Sequence, residues 1–64
     1  MKVFKEVQLL ADRQNGRVRE VIVDREAGAP MAGERVLLEN YGECTVHSCQ
    51  PAGRENLRLI VRKA

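Results

Sequence analysis

The sequence predicts an all-β fold: a small five-stranded antiparallel barrel or half-barrel of SH3-like or OB-like type. Three observations carry this. Short runs dense in Val, Ile and Leu recur at Val18–Val23, Val36–Leu38 and Leu57–Val61. Turn formers stand between them: Asn15-Gly16, then Gly28 with Pro30 and Gly33, then Gly42, then Pro51 with Gly53. In the last run Leu57, Leu59 and Val61 alternate with Arg58, Ile60 and Arg62, the two-residue period of a strand with one face buried. Short strands joined by turns package economically as a sheet that closes, because open edges invite aggregation. A sheet shared between two chains serves equally well.

The first element reads two ways. As a strand, Val3, Val7, Leu9 and Ala11 share one face. As a helix, Phe4, Val7, Leu10 and Ala11 share one stripe, and Lys, Glu, Gln, Leu and Ala are good helix formers. No N-cap or capping box precedes the segment, which favours the strand. A helix over residues 4–14 would make the fold α+β.

Asn15-Gly16 follows. Both residues tolerate positive φ, as a tight type I′ hairpin turn requires. Arg17–Asp24 is rich in β-branched residues and reads as a strand. Residues 26–34 form a loop punctuated by Gly28, Pro30 and Gly33. Its apolar stretch Ala27–Ala32 suits either a contact loop or a flexible one. Gly33-Glu34-Arg35-Val36 resembles the Gly-acid-x-Val lead-in to a strand common in small barrels. Arg35–Glu39 is the next strand, Asn40–Glu43 turns it, and Cys44–Cys49 is the next. Gln50–Asn56 is a second loop and Leu57–Arg62 the last strand.

A chain of 64 residues is one small domain. At this size only about 60% of the unfolded chain's surface can be buried. One Phe, one Tyr and no Trp leave the core to aliphatic side chains, each worth about 1.5–3 kcal/mol when fully buried. That small reserve favours a homodimer or another partner. Met1–Glu6 carries charges where a signal peptide needs an apolar run, and no stretch approaches the roughly 20 apolar residues of a membrane span. The expectation is a cytoplasmic protein with reduced thiols and no membrane partner.

Residues 43–50 read E-C-T-V-H-S-C-Q, with both cysteines and the only histidine inside six positions. Zinc wants four ligands in a closed site, and Cys44, His47 and Cys49 supply three at a spacing that fits no common finger. On a regular strand Cys44 points away from the other two. Cys49 and His47 would stand side by side, but a thiolate nucleophile also needs an oxyanion site and an orienting group. A Cys44–Cys49 disulfide needs a turn where the pattern reads strand. The remaining reading makes one cysteine a small core residue and the other half-exposed. No catalytic residue, metal or cofactor is therefore assigned.

The net charge of +2 is unevenly spread. Lys2, Lys5, Arg13, Arg17 and Arg19 against Glu6 and Asp12 leave residues 1–19 at +3. Residues 20–43 stand at −4, and residues 44–64 at +3 from Arg54, Arg58, Arg62 and Lys63 against Glu55. A meander that closes brings its first and last strands together and adds their charges. Arg17, Arg19, Arg58 and Arg62 would then form one guanidinium patch, extended by the loop residues Arg13 and Arg54. Arginine grips phosphate with two hydrogen bonds and stacks on bases. The expectation is a non-enzymatic nucleic-acid-binding or regulatory β-domain, with DNA or RNA as partner. Two features oppose it: few aromatic rings for base stacking, and no helix for a major groove. The alternative is a protein-interaction or oligomerisation module without nucleic-acid binding, supported by the segregated charge and by strand edges.

Overall fold

The computed structural model describes residues 1–64 and is all-β, with no helix. Six strands follow one another: β1 (Lys2–Phe4), β2 (Glu6–Arg13), β3 (Val18–Asp24), β4 (Arg35–Leu38), β5 (Gly42–Pro51) and β6 (Asn56–Lys63). They form one sheet in the order β1-β4-β5-β6-β3-β2. Four of the five neighbouring pairs are antiparallel; β1 and β4 run parallel.

The sixth strand comes from the ambiguous first segment. That segment is β throughout, so the α+β alternative is set aside, but it divides at Lys5. β1 and β2 lie at opposite edges of the sheet although one residue separates them. The sheet must therefore curl until its edges meet there. At this corner the Phe4 carbonyl accepts the Glu39 N–H at 3.1 Å and the Lys5 carbonyl accepts the Asp24 N–H at 3.3 Å. No ladder joins β1 to β2, so the six-stranded sheet is not closed into a barrel.

β2 also carries two bulges. Glu6, Gln8, Leu9 and Ala11 stand opposite Val23, Ile22, Val21 and Glu20, so Val7 and Leu10 are extra residues with no partner. Each bulge inserts one residue and resets the alternation. The residues opposite the inward Val23, Val21 and Arg19 are consequently Glu6, Leu9 and Asp12, spaced by three. The bulge residues Val7 and Leu10 are likewise three apart and belong to the helical stripe read in the sequence.

The β2–β3 hairpin turns at the expected place with a longer loop. Gln14, Asn15 and Gly16 all have positive φ (53°, 56° and 83°). Gly16 N–H donates to Arg13 at 3.1 Å and Arg17 N–H to Gln14 at 3.2 Å. Two overlapping turns replace the single two-residue one, and only Gly16 occupies this region without steric cost.

The core lies inside the curl. β3 contributes Val21 and Val23; β6 contributes Leu57, Leu59 and Val61; β4 and β5 add Val36, Leu38, Cys44 and Val46; and Phe4 seals the corner. Each side chain in the alternating runs takes the face its position predicts. β5 departs from this at His47. Val46 pairs with Val61 and Ser48 with Ile60, so His47 is a bulge. Beyond it the parity flips, and Cys49 joins Cys44 on the core side.

Candidate nucleic-acid interface

The outer face of the curl is built by register. Arg13 of β2 stands opposite Val18 of β3, Val18 opposite Arg62 of β6, Arg62 opposite Thr45 of β5, and Thr45 opposite Arg35 of β4. One row along lie Ala11, Glu20, Ile60 and Ser48; the next holds Gln8, Ile22, Arg58 and Gln50. Neighbouring strands are about 4.8 Å apart, so Arg13, Arg62 and Arg35 follow one another at Cα intervals of about 10 Å. Arg58 is two rows from Arg62 on the same face.

Carboxylates pair with part of this charge. Glu20 points outward yet its side chain is only 8% exposed, covered by Arg58, to which it is hydrogen-bonded, and by Arg13 at 3.7 Å. Arg35 pairs with Glu43 at 3.0 Å. Arg62 makes no ion pair, nor do Arg17 and Arg54.

The six arginines singled out in the sequence are thus not one cluster. Arg13 and Arg62 share a row, with Arg58 nearby. Arg17 lies exposed in the hairpin turn, its carbonyl accepting the Lys63 N–H at 2.7 Å. Arg54 sits in the β5–β6 loop at the far end of β6, where its carbonyl accepts a hydrogen bond from Arg25 at 3.1 Å. Arg19 is on the inner side of β3. It reaches Asp12 at 3.3 Å and Glu6 at 3.6 Å, and its guanidinium lies over the Tyr41 ring. Arg35 was missed, because its neighbours in sequence are acidic and only the β4–β5 register brings it to this row.

Where β2, β3, β6 and the bulge of β5 adjoin, the outer face holds a cleft of about 320 Å³. Val18 and Ile60 form its floor, beside Val61, whose side chain is in the core; Arg13, His47 and Arg62 complete the lining. At the other end of β3 a hollow of about 400 Å³ is lined by Asp24, Glu26 and Glu39, with Lys5, Val3 and Ala27. The sheet thus has a more cationic end at Arg13 and Arg62 and a more acidic one at Asp24, Glu26 and Glu39. The division does not follow the chain: Glu20 and Glu43 pair with arginines of the outer face, and Lys5 lines the acidic hollow.

The cysteines and the histidine separate. Cys44 is fully buried, and burial pushes its thiol up to about 11. Cys49 is half-buried against the core, and burial raises its pKa too. His47 is exposed on the opposite face. Both thiols are free. No three His, Cys, Asp or Glu side chains are grouped to hold a metal ion. No helix is long and apolar enough to cross a membrane. Compared with protein-family profiles, curated proteins and solved structures, the chain matches none of them.

Proposed function

We propose that this chain is a non-enzymatic, cytoplasmic nucleic-acid-binding domain that needs no cofactor and meets phosphate with the outer face of its curled sheet. In this reading the sheet is a half-barrel of SH3-like or OB-like kind. The observation that carries it is the cross-strand row of Arg13, Arg62 and Arg35, with Arg58 on the same face. Two carboxylates are set against these four guanidiniums, and Arg62 is left unpaired. Arg17 and Arg54 add charge at the margins; Arg19 serves the fold. The test is a fluorescence-anisotropy titration with labelled random oligonucleotides at low and moderate salt. Binding weakens steeply with salt, and Arg62→Ala lowers the salt slope by about 1. Absence of binding at low salt rules the reading out.

A second reading, a protein-interaction or oligomerisation module, has its own observation. β2 is an edge strand whose Val7, Leu9 and Leu10 are 57%, 52% and 42% exposed, and Val3 on the opposite edge strand is 51% exposed. Exposed apolar side chains on an unpaired edge suit a partner strand or a second copy.

A further inference from the structure

We infer that the cleft beside His47 takes one unpaired nucleotide, so that the protein selects single strands over duplex. The inference rests on the nucleic-acid reading above and adds the unit that is recognised.

The cleft combines two chemistries. Its floor, Val18 and Ile60, is aliphatic and offers no hydrogen bonds from side chains. Its rim offers two guanidiniums and an imidazole. A ligand matching both has a flat, weakly hydrated body joined to an anion. A nucleotide has this form. An isolated phosphate gains nothing from the floor, and an apolar peptide gains nothing from the rim.

The geometry orients it. Arg13 and Arg62 stand two strands apart in one row, about 10 Å between Cα atoms, close enough for both long side chains to reach one phosphate. Ile60 is the next outward residue after Arg62 on the same strand. A phosphate held by the two arginines therefore places its base over Ile60. The bulge aims His47 outward at the side of this floor. His47 is the one ring lining the cleft, and an imidazole can stack on an unpaired base. A cleft of about 320 Å³ is at the small end of ligand sites, which suits one nucleotide.

A duplex does not present this unit. Its bases are stacked on one another, so no base face is free to lie on the aliphatic floor. Duplex phosphates can meet Arg13 and Arg62, but the aliphatic floor and His47 then go unused.

The experiment compares a labelled oligo-dT and oligo-U with a duplex of equal length on the full chain at one salt concentration. Thymidine 5′-monophosphate and inorganic phosphate are added as competitors, and backbone amide shifts are followed by NMR. The single strands bind at least about fivefold tighter than duplex. Shifts concentrate at Val18, His47, Ile60 and Arg62, and the mononucleotide competes better than phosphate. His47→Ala and Ile60→Ala each shrink the single-strand preference, whereas Arg62→Met weakens single strand and duplex alike. The wild-type shift map stands as evidence even where Ile60→Ala fails to fold. Equal or tighter duplex binding overturns the cleft assignment and leaves the nucleic-acid reading standing. Equal competition by phosphate and mononucleotide also overturns it, since the floor then contributes nothing. A mononucleotide that binds as tightly as the oligomers assigns the cleft to a free small ligand instead. No binding of any oligonucleotide at low salt removes the underlying reading, and this inference with it.

Discussion

The guanidinium of Arg19 lies 4.3 Å from the centroid of the Tyr41 ring. The Lys63 ammonium lies at the same distance from that ring and donates to the Tyr41 carbonyl. The Tyr41 hydroxyl donates to the Gly16 carbonyl of the hairpin turn. One aromatic side chain thus ties β3, β6 and the β2–β3 hairpin together at the cationic end. Arg19 completes the arrangement by holding Glu6 and Asp12 of β2, with its own side chain only 16% exposed. Its charge is engaged within the fold and does not reach the outer face.

Replacing Arg19 should therefore damage stability and spare binding. Arg19→Met keeps much of the stem but leaves the Glu6 carboxylate, 10% exposed, without its cation. The cost is about 2–3 kcal/mol, because a buried charge stripped of its partner is strongly destabilising. Tyr41→Phe removes one hydrogen bond and costs about 1 kcal/mol. Urea unfolding measures both. Oligonucleotide affinity of folded Arg19→Met stays within about twofold of wild type, since no phosphate contact is lost. A drop as large as that of Arg62→Ala would put Arg19 in the interface after all.

These assignments show what was legible in the chain. β3, β4 and β6 were readable because their alternation is unbroken: Val21 and Val23, or Leu57, Leu59 and Val61, fall on one face. β2 was ambiguous for a physical reason. Its two bulge residues, Val7 and Leu10, are three apart and with Phe4 and Ala11 give the segment the apolar spacing of a helical stripe. Cross-strand pairing hid the site as well. Arg19 looked free because its partners, Asp12 directly across the hairpin and Glu6 further along β2, meet it only once β2 and β3 pair. Arg35 looked neutralised by its acidic neighbours, although register sets it in the arginine row. The bulge at His47 likewise sent Cys49 to the core and the imidazole to the cleft, where simple alternation had kept them side by side.

Glu20 restrains the face it belongs to. Its carboxylate sits beneath Arg58 and Arg13 and removes charge from the middle of the guanidinium array. Glu20→Gln keeps the shape and removes the charge. Oligonucleotide affinity at low salt should rise about three- to tenfold, with a salt slope steeper by up to about 1. Stability should fall by about 1 kcal/mol, because hydrogen bonds to a charged acceptor are exchanged for weaker ones. Anisotropy across a salt series reads the first effect and urea unfolding the second. Unchanged affinity would mean that Arg13 and Arg58 do not meet the ligand.

The buried thiol sets an alkaline limit. Burial raises the Cys44 pKa to about 11, above that of an exposed thiol. The folded state therefore holds a proton that the unfolded chain releases first as pH rises. The stabilisation is complete below about pH 9 and is lost as pH climbs toward 11. Tyr41, whose pKa burial also raises, acts with the same sign. Urea midpoints should be level up to about pH 8.5 and then decline. Cys44→Ala lowers stability at neutral pH but flattens the decline between pH 9 and 11. A disulfide reagent at pH 8 should label Cys49 well before Cys44, which waits for unfolding. Equal labelling rates would contradict the burial of Cys44.

The exposed edge of β2 makes its own demand. Val7, Leu9 and Leu10 leave apolar surface beside unpaired backbone, the arrangement that promotes strand-to-strand association. The bulges at Val7 and Leu10 act against it, because they break the ladder that a second strand would extend. Side-chain contact then supplies most of the attraction and long-range register little. Self-association should accordingly be weak, with a dissociation constant on the order of 0.1–1 mM. Leu9→Lys should abolish it without unfolding the chain, since Leu9 is half exposed and lies outside the core cluster. Sedimentation equilibrium over that concentration range decides the matter. Strictly monomeric behaviour, or association that Leu9→Lys leaves intact, would show that β2 is an edge protected by its bulges and not an interface. Oligonucleotide binding by Leu9→Lys separates the two functional readings. Retained affinity in a monomeric variant means the arginine face acts alone, whereas its loss with the self-association would make the two-chain sheet a condition of binding.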